Sequence, residues 1–205
     1  MELAEAIRQR RSIRRFKREP VPKEKIEKIL QDAFWAPSNM NRQAWEVVVV
    51  TGEDHDKLAQ IIKGASQYLK VKLEERFPHK PEVRLAALNF IENLGEAGAL
   101  ILVYIPPGDL RWKGIGLGSV KDVYEWEHRN RIHSAAALIQ NICLLAYAEG
   151  LGTCWMTGPL FVEDAINEYL GISEMELVAV IPIGWPDQSP KAPPRKGDKV
   201  RWIGF

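Results

Sequence analysis

The sequence predicts an α/β or α+β sandwich, a sheet of apolar strands covered by helices. Three runs, 45–51 (WEVVVVT), 99–105 (ALILVYI) and 177–183 (LVAVIPI), are rich in β-branched and aliphatic residues and have no polar face, as expected of buried strands. Between them lie segments whose apolar residues recur at helical spacing, so helices and strands alternate along the chain. No internal repeat or low-complexity tract breaks the pattern, and 205 residues fit one domain with ample chain for a core.

In order along the chain, Leu3, Ala4 and Ile7 share one face of a short opening helix. In residues 19–37 (EPVPKEKIEKILQDAFWAP), Pro22 suits a first helical turn and Pro37 ends the helix. Ile26, Ile29, Leu30, Ala33 and Phe34 form its apolar stripe. The strand 45–51 comes next, then a short helix marked by Leu58, Ile61 and Ile62. The helical pattern resumes over 67–96 with a break at Pro78 and Pro81. After the strand 99–105, residues 106–131 read as an irregular lid or insertion, first Pro- and Gly-rich and then charged. Residues 132–149 form the longest apolar helix; Ser134 to Ala137 permit a close neighbour, and Gly150 and Gly152 end it. A short strand at 153–156, a helix at 162–170 and the strand 177–183 follow. The tail from about residue 185 is Pro-rich, basic and too extended to pack alone.

The chain is nearly neutral, with 28 Lys+Arg against 27 Asp+Glu, yet residues 8–18 (RQRRSIRRFKR) are basic at seven of eleven positions. Such a cluster repels itself until solvent or an anion compensates it. A solvated face, a polyanion or membrane patch, and a site for one small phosphate are the readings open to it. The neutral remainder argues against a polyanion surface. Arg forks around a compact anion, with the Ser12 hydroxyl as a further donor, fit better. No segment approaches the roughly 18 apolar residues that cross a bilayer. The opening MELAEAIRQ has no apolar export core, and Cys143 and Cys154 sit in apolar surroundings without metal-ligand spacing. A cytoplasmic protein with reduced core thiols is expected.

Most candidate motifs fail on spacing. Gly114, Gly116 and Gly118 form G-x-G-x-G with no strand before it, unlike a dinucleotide loop. Glu125, Glu127, His128 and His133 match no metal-ligand signature, and no nucleophile elbow or Walker motif is present. Two loops retain interest. Ser38, Asn39, Asn41, Arg42 and Gln43 lie between a helix stop and a strand; they suit hydrogen bonding to a planar heterocycle, or an ordinary turn. In MTGPLF (156–161), Gly158 lets a ligand approach the backbone.

Four motifs in this order resemble the nitroreductase family over essentially the full length: RRSIRRF (10–16), APSNMNRQAW (36–45), SAAALIQNICLLAYAEGLGTCWM (134–156), and IPIGWP (181–186) followed by PPRK (193–196). The resemblance implies one domain over 1–205, built as a three-layer sandwich whose central, mostly antiparallel sheet is flanked by helices. It also implies an intertwined homodimer with FMN at the subunit interface. Arg10, Arg11, Ser12 and Arg14 match positions that hold the flavin's phosphate and ribityl oxygens, and Arg195 with Lys196 match a C-terminal cation on the same phosphate. Within the run, Arg10 and Arg14 are expected to point inward, as is Arg195, while Arg8, Arg15, Lys17 and Arg18 are mainly solvated. Pro37, Ser38, Asn39, Met40 and Asn41 match a loop that reaches the isoalloxazine from the other subunit. Thr157 and Gly158 match the loop beside N5, and no side chain is expected to act as acid or base. Trp112, Tyr124 and Trp126 in the lid are candidates to stack on substrate, and no metal is implied. The chain departs from the family at Ala44, where Gln-Pro-Trp is common, and at Asn39, where serine is usual.

The activity so implied is an FMN-dependent oxidoreductase that passes hydride from NADH or NADPH, through flavin N5, to a nitroaromatic, quinone or similar acceptor in a ping-pong cycle. Its partners would be a second copy and a small aromatic or quinone-like substrate, with neither nucleic acid nor membrane. The alternatives are reductive dehalogenation of the iodotyrosine deiodinase type and non-enzymatic flavin storage.

Overall fold

Every residue of the strand Ala99–Ile105 (β2) is buried, and this sets the layering. Side chains of a strand alternate between its two faces, so an apolar run of this length needs cover on both sides. The computed structural model describes residues 2–107, 120–197 and 199–204. β2 pairs antiparallel with β1 (Glu46–Val50) and with β4 (Glu176–Gly184); a short β3 (Gly152–Thr153) extends the sheet beyond β4, giving the order β1-β2-β4-β3. Ile101, Val103 and Ile105 meet one helical layer, α2 (Lys23–Ala33) and α6 (Val120–Ala148), through Ile26, Ile29, Leu138 and Ile142. Leu100, Leu102 and Tyr104 meet the other, α3 (Gly52–Lys63), α5 (Pro81–Asn93) and α7 (Glu163–Leu170), through Leu58, Ile62, Ile91 and Ile166. The β2–β4 register slips between Val103 and Tyr104, which places both Val178 and Ala179 on the α2/α6 side. The short α1 (Leu3–Gln9) and α4 (Ser66–Arg76) complete the helices used below.

The mixed helical and antiparallel-sheet class is as the sequence predicts, but several details differ. β1 is an edge strand, and Val49 is 39% exposed within it. A continuous β-branched run marks a strand, but not whether both faces find cover in the same chain. In α1 the buried residue is Ala6, while Leu3 and Ile7 lie exposed. The short strand expected over 153–156 is the two-residue β3 plus an isolated bridge from Met156 to Val180. The largest correction concerns residues 106–131, because α6 begins at Val120 and 120–131 is therefore helical. Its Glu, Lys and Arg residues are good helix formers. Pairs spaced four apart support the helix, Glu125 with Arg129 at 3.9 Å and Glu127 with Arg131 at 3.4 Å. Trp112, Gly114, Gly116 and Gly118 lie outside the described residues.

The far end of α6 is tied to α2 by charge. Lys25 Nζ donates to a Glu149 carboxylate oxygen at 2.9 Å and to the Glu149 carbonyl at 3.0 Å, and Lys28 Nζ reaches the other carboxylate oxygen at 2.6 Å. Cations also suit a helix C-terminus, where unpaired carbonyls carry partial negative charge. The hydrogen bonds from Lys28 and Lys25 hold the Glu149 carboxyl down at about 2. A carboxylate with a depressed folded-state pKa adds stability above its unfolded value, and loses it as pH falls toward the folded value.

Two outcomes are expected. Glu149→Gln should flatten the acid loss of stability, so that its urea midpoint falls less than the wild type's between about pH 4.5 and pH 2, the window between unfolded and folded carboxyl values. Leu102→Ala should cost about 2–5 kcal/mol in urea unfolding, as a fully buried leucine does. Val49→Ala, on the exposed edge, should cost under ~1 kcal/mol; equal losses at the two sites would contradict the edge placement of β1.

Candidate functional site

The basic run leaves α1 as an extended ribbon laid along the rim of the sheet. Ser12 bridges Thr153 in parallel, and the Ile13 N–H donates to the Thr153 carbonyl at 2.9 Å. The Phe16 N–H donates to Gly95 O at 2.9 Å, and the Lys17 N–H to Trp185 O at 2.9 Å. Ile13 and Phe16 are the buried residues of the ribbon and anchor it to the α3/α5 core. Gly152 permits this close approach: a Cβ there would come within 2.7 Å of the Ile13 side chain.

With two apolar anchors inside, the cations are left outside and separate into two groups. Arg15 Nε meets Asp187 Oδ2 at 2.9 Å, and its Nη2 donates to the Asp187 carbonyl at 2.6 Å. Arg18 pairs with Glu96, whose carboxyl that hydrogen bond lowers below its ordinary value. Arg15 and Arg18 are thus exposed, as expected, but each also has its own carboxylate. Arg11 folds back onto the carbonyls of Arg8 at 2.7 Å and Arg10 at 2.6 Å. Arg10 and Arg14 have no carboxylate partner among the described residues. Arg10 lines a groove of about 420 Å³ with Tyr147, Gly152 and Thr153. The Arg14 guanidinium lies 5.8 Å from the centre of the Phe90 ring, in the wall of a larger groove of about 1200 Å³. Gln188, Ser189 and Pro190 of the tail wall both grooves.

The α4–α5 hairpin forms the apolar side of the larger groove, through Leu73, Phe77, Val83 and Ala86. Sequence reasoning gave this hairpin no role. No local signal marked it: α4 buries no residue, and its apolar Tyr68 and Val71 are exposed. Tyr68 stacks on Phe161 with ring centres 5.3 Å apart. Phe161 belongs to the 3-10 turn Gly158–Val162 that follows Thr157. Thr157 itself is exposed, and Gly158 packs against Leu69 of α4, where a Cβ would come within 2.9 Å. The Thr157–Gly158 loop therefore lies beside the hairpin.

The loop at 37–43 docks elsewhere, on the middle of α6. Met40, Asn41 and Gln43 have φ of 53°, 53° and 48°, a left-handed conformation that side chains other than Asn or Asp adopt at a cost of about 1–2 kcal/mol each. Ser38 holds the turn locally, accepting from the Asn41 N–H on its carbonyl at 3.0 Å and from the Gln43 N–H on its Oγ at 3.0 Å. α6 holds it from outside: the Asn39 N–H donates to Ser134 Oγ at 3.2 Å, and Arg42 Nη1 meets Glu127 Oε1 at 3.0 Å. Glu127, Arg131 and Ser134 are buried. Sequence reading passed over Glu127 and Arg131 as loop charges, although their spacing of four, with Ser134 seven from Glu127, marks one helical face.

Ser134 lies thirteen residues before Tyr147, which lines the Arg10 groove. At 1.5 Å per residue this is roughly 20 Å along α6. A single chain therefore keeps the 37–43 loop and the basic run apart. Arg195 and Lys196 lie exposed on the tail and line neither groove. Tyr124 and Trp126 project from the first turns of α6; Tyr124 stacks on His128 at 6.2 Å, and neither lines the grooves of the basic run. Burial pushes the Cys143 and Cys154 thiols above their ordinary value, which suits packing and not nucleophilic use. Among the described residues, no cluster of His, Cys, Asp or Glu is suited to a metal ion, and no helix is long and apolar enough to cross a membrane.

Comparison with known proteins agrees along nearly the whole chain. The putative NAD(P)H nitroreductase YfhC of Bacillus subtilis (strain 168) is 29% identical over 194 residues, covering 94% of this chain and 89% of the relative. A BluB-like flavoprotein from Clostridium difficile 630 superposes with a TM-score of 0.75 at 28% identity, over 96% of this chain and 95% of that one. A mutant of the FMN and NADPH-dependent nitroreductase NfnB from Sphigopyxis sp. strain HMH, 21% identical, shares the fold at a TM-score of 0.76 over 100% of both chains. The Nitroreductase family profile matches residues 7–185. On this span, which takes in the basic run, the 37–43 loop, α6 and the whole sheet, the chain belongs to the nitroreductase family.

Proposed function

We propose that this chain is an FMN-dependent oxidoreductase that takes hydride from NADH or NADPH and delivers it to a nitroaromatic, quinone or similar acceptor. The observation that carries the reading is the division of the basic run: Arg15 and Arg18 have carboxylates, while Arg10 and Arg14 have none among the described residues and border adjoining grooves. Unpaired guanidinium forks beside a glycine that admits close approach are a donor set suited to a phosphate monoester. When bound, the flavin supplies the hydride chemistry, and the protein supplies binding, orientation and electrostatics.

In this reading Arg10, Arg11, Ser12 and Arg14 hold the phosphate and ribityl chain, and Arg195 with Lys196 are further cations for the same phosphate. Thr157 and Gly158 lie along the ring system next to the α4–α5 hairpin, whose apolar wall excludes water. The loop Pro37, Ser38, Asn39, Met40 and Asn41 meets the ring from a second copy of the chain. The separation of roughly 20 Å along α6 supports this division, since each chain then carries two half-sites that a two-fold axis joins. Exposed Leu3, Ile7, Trp35 and Met40 offer apolar surface for such a partner. No side chain is required as acid or base.

Two measurements test the reading. The purified protein should carry a yellow flavin that NADPH or NADH bleaches without oxygen and that a quinone or nitroaromatic restores; a colourless monomer with no NAD(P)H oxidation would refute it. For the phosphate, losing one charge-assisted hydrogen bond costs about 1.5–3 kcal/mol. Arg14→Ala should therefore weaken FMN by roughly one to two decades and leave riboflavin binding unchanged. Arg18→Ala should change little, since an exposed pair contributes about 0–1 kcal/mol. Equal losses for FMN and riboflavin in Arg14→Ala would mean that the arginine supports the fold and not the phosphate.

A further inference from the structure

We propose that Glu127 is the positioning residue for the 37–43 loop, acting through Arg42, and so sets the flavin ring's environment without touching the flavin. This rests on the flavin reading above and deepens it. Glu127 and Ser134 are seven residues apart on α6, close to two full turns, so they lie on one face of the helix. Ser134 Oγ donates to the Asn130 carbonyl at 2.7 Å and so presents a lone pair to the Asn39 N–H, 3.2 Å away. Glu127 Oε1 takes Arg42 Nη1 at 3.0 Å. These two pins bracket Met40 and Asn41, both held with φ of 53°. A left-handed pair with a methionine in it relaxes unless its flanks are fixed, and these flanks are fixed by one helical face.

The charges indicate that Glu127 is committed to this task. Its side chain is 2% exposed and serves two guanidiniums, with Oε2 on Arg131 Nη1 at 3.4 Å. Arg131 is itself buried, and its Nε and Nη2 have no partner among the described residues. One buried carboxylate thus faces two cations, and an aligned hydrogen bond to Arg42 is the one link among them that reaches the loop. The Arg42 side chain is 33% exposed. Replacing it releases the loop and leaves the buried Glu127–Arg131 pair in place. Replacing Glu127 would instead leave two guanidiniums without a counter-charge.

The test therefore centres on Arg42. FMN and riboflavin are titrated against the wild type, Arg42→Ala and Arg42→Lys, with thermal unfolding of each flavin-free protein. Because the loop meets the ring, which both flavins share, Arg42→Ala should weaken FMN and riboflavin by the same factor, about tenfold for one charge-assisted bond. It should shift the visible band of the bound flavin, keep the wild-type unfolding midpoint, and be partly rescued by Arg42→Lys. In Glu127→Gln, adding Arg42→Ala should cost nothing further. If Arg42→Ala binds both flavins as the wild type does, loses FMN alone, or loses both through a lower unfolding midpoint that lysine does not restore, the positioning role is overturned. If the wild type binds neither flavin, the proposed function itself falls, and this inference with it.

Discussion

The sheet interior constrains everything else in this protein. β2 is buried along its full length, and β4 nearly so, which forces a helical layer onto each face and leaves only the rim of the sheet open to a ligand. The basic run occupies that rim. It is held by the side chains of Ile13 and Phe16 and by backbone bonds to Thr153, Gly95 and Trp185. Burial of two apolar side chains, worth about 1.5–3 kcal/mol each, fixes a segment that its charges would otherwise drive apart. Cationic density is thereby converted into fixed directions for individual guanidiniums.

Electrostatics then separates cations that look alike in sequence. Asp187 and Glu96 neutralise Arg15 and Arg18, and these exposed pairs contribute little stability. Their effect is geometric. The Arg15–Asp187 contact holds the start of the tail against the run, so that Gln188, Ser189 and Pro190 become a wall common to the Arg10 and Arg14 grooves. Arg10 and Arg14, which have no carboxylate partner among the described residues, thus border the same tail segment.

α6 connects the two halves of the proposed site. Its middle carries the buried Glu127, Arg131 and Ser134 that hold the 37–43 loop, and its end meets the Arg10 groove at Tyr147 and is clamped to α2 through Glu149. A single helix of this length keeps the loop and the groove apart within one chain, which is the ground for proposing that they meet across a two-fold axis. The strained φ values at Met40 and Gln43, with Asn41 between them, occur where the backbone is held by Ser38 and by the part-buried contacts of Asn39 and Arg42 with α6.

The sequence by itself determined the strand–helix alternation, the three apolar strands, the tail and the importance of the basic run, because each is written locally as periodicity, β-branching or charge density. It also carried the family likeness, in motifs from Arg10 to Lys196. Tertiary structure decided the rest. Whether β1 is an edge, how far α6 extends into residues read as a lid, and which arginines acquire carboxylates all depend on residues distant in sequence: Glu96 for Arg18, Asp187 for Arg15, Glu127 for Arg42. The α4–α5 hairpin was equally illegible, since an exposed helix with scattered apolar residues acquires meaning only from the groove it walls. Periodicity reports how a segment meets its nearest layer; pairing of charges and the walls of a groove are made by segments that only folding brings together.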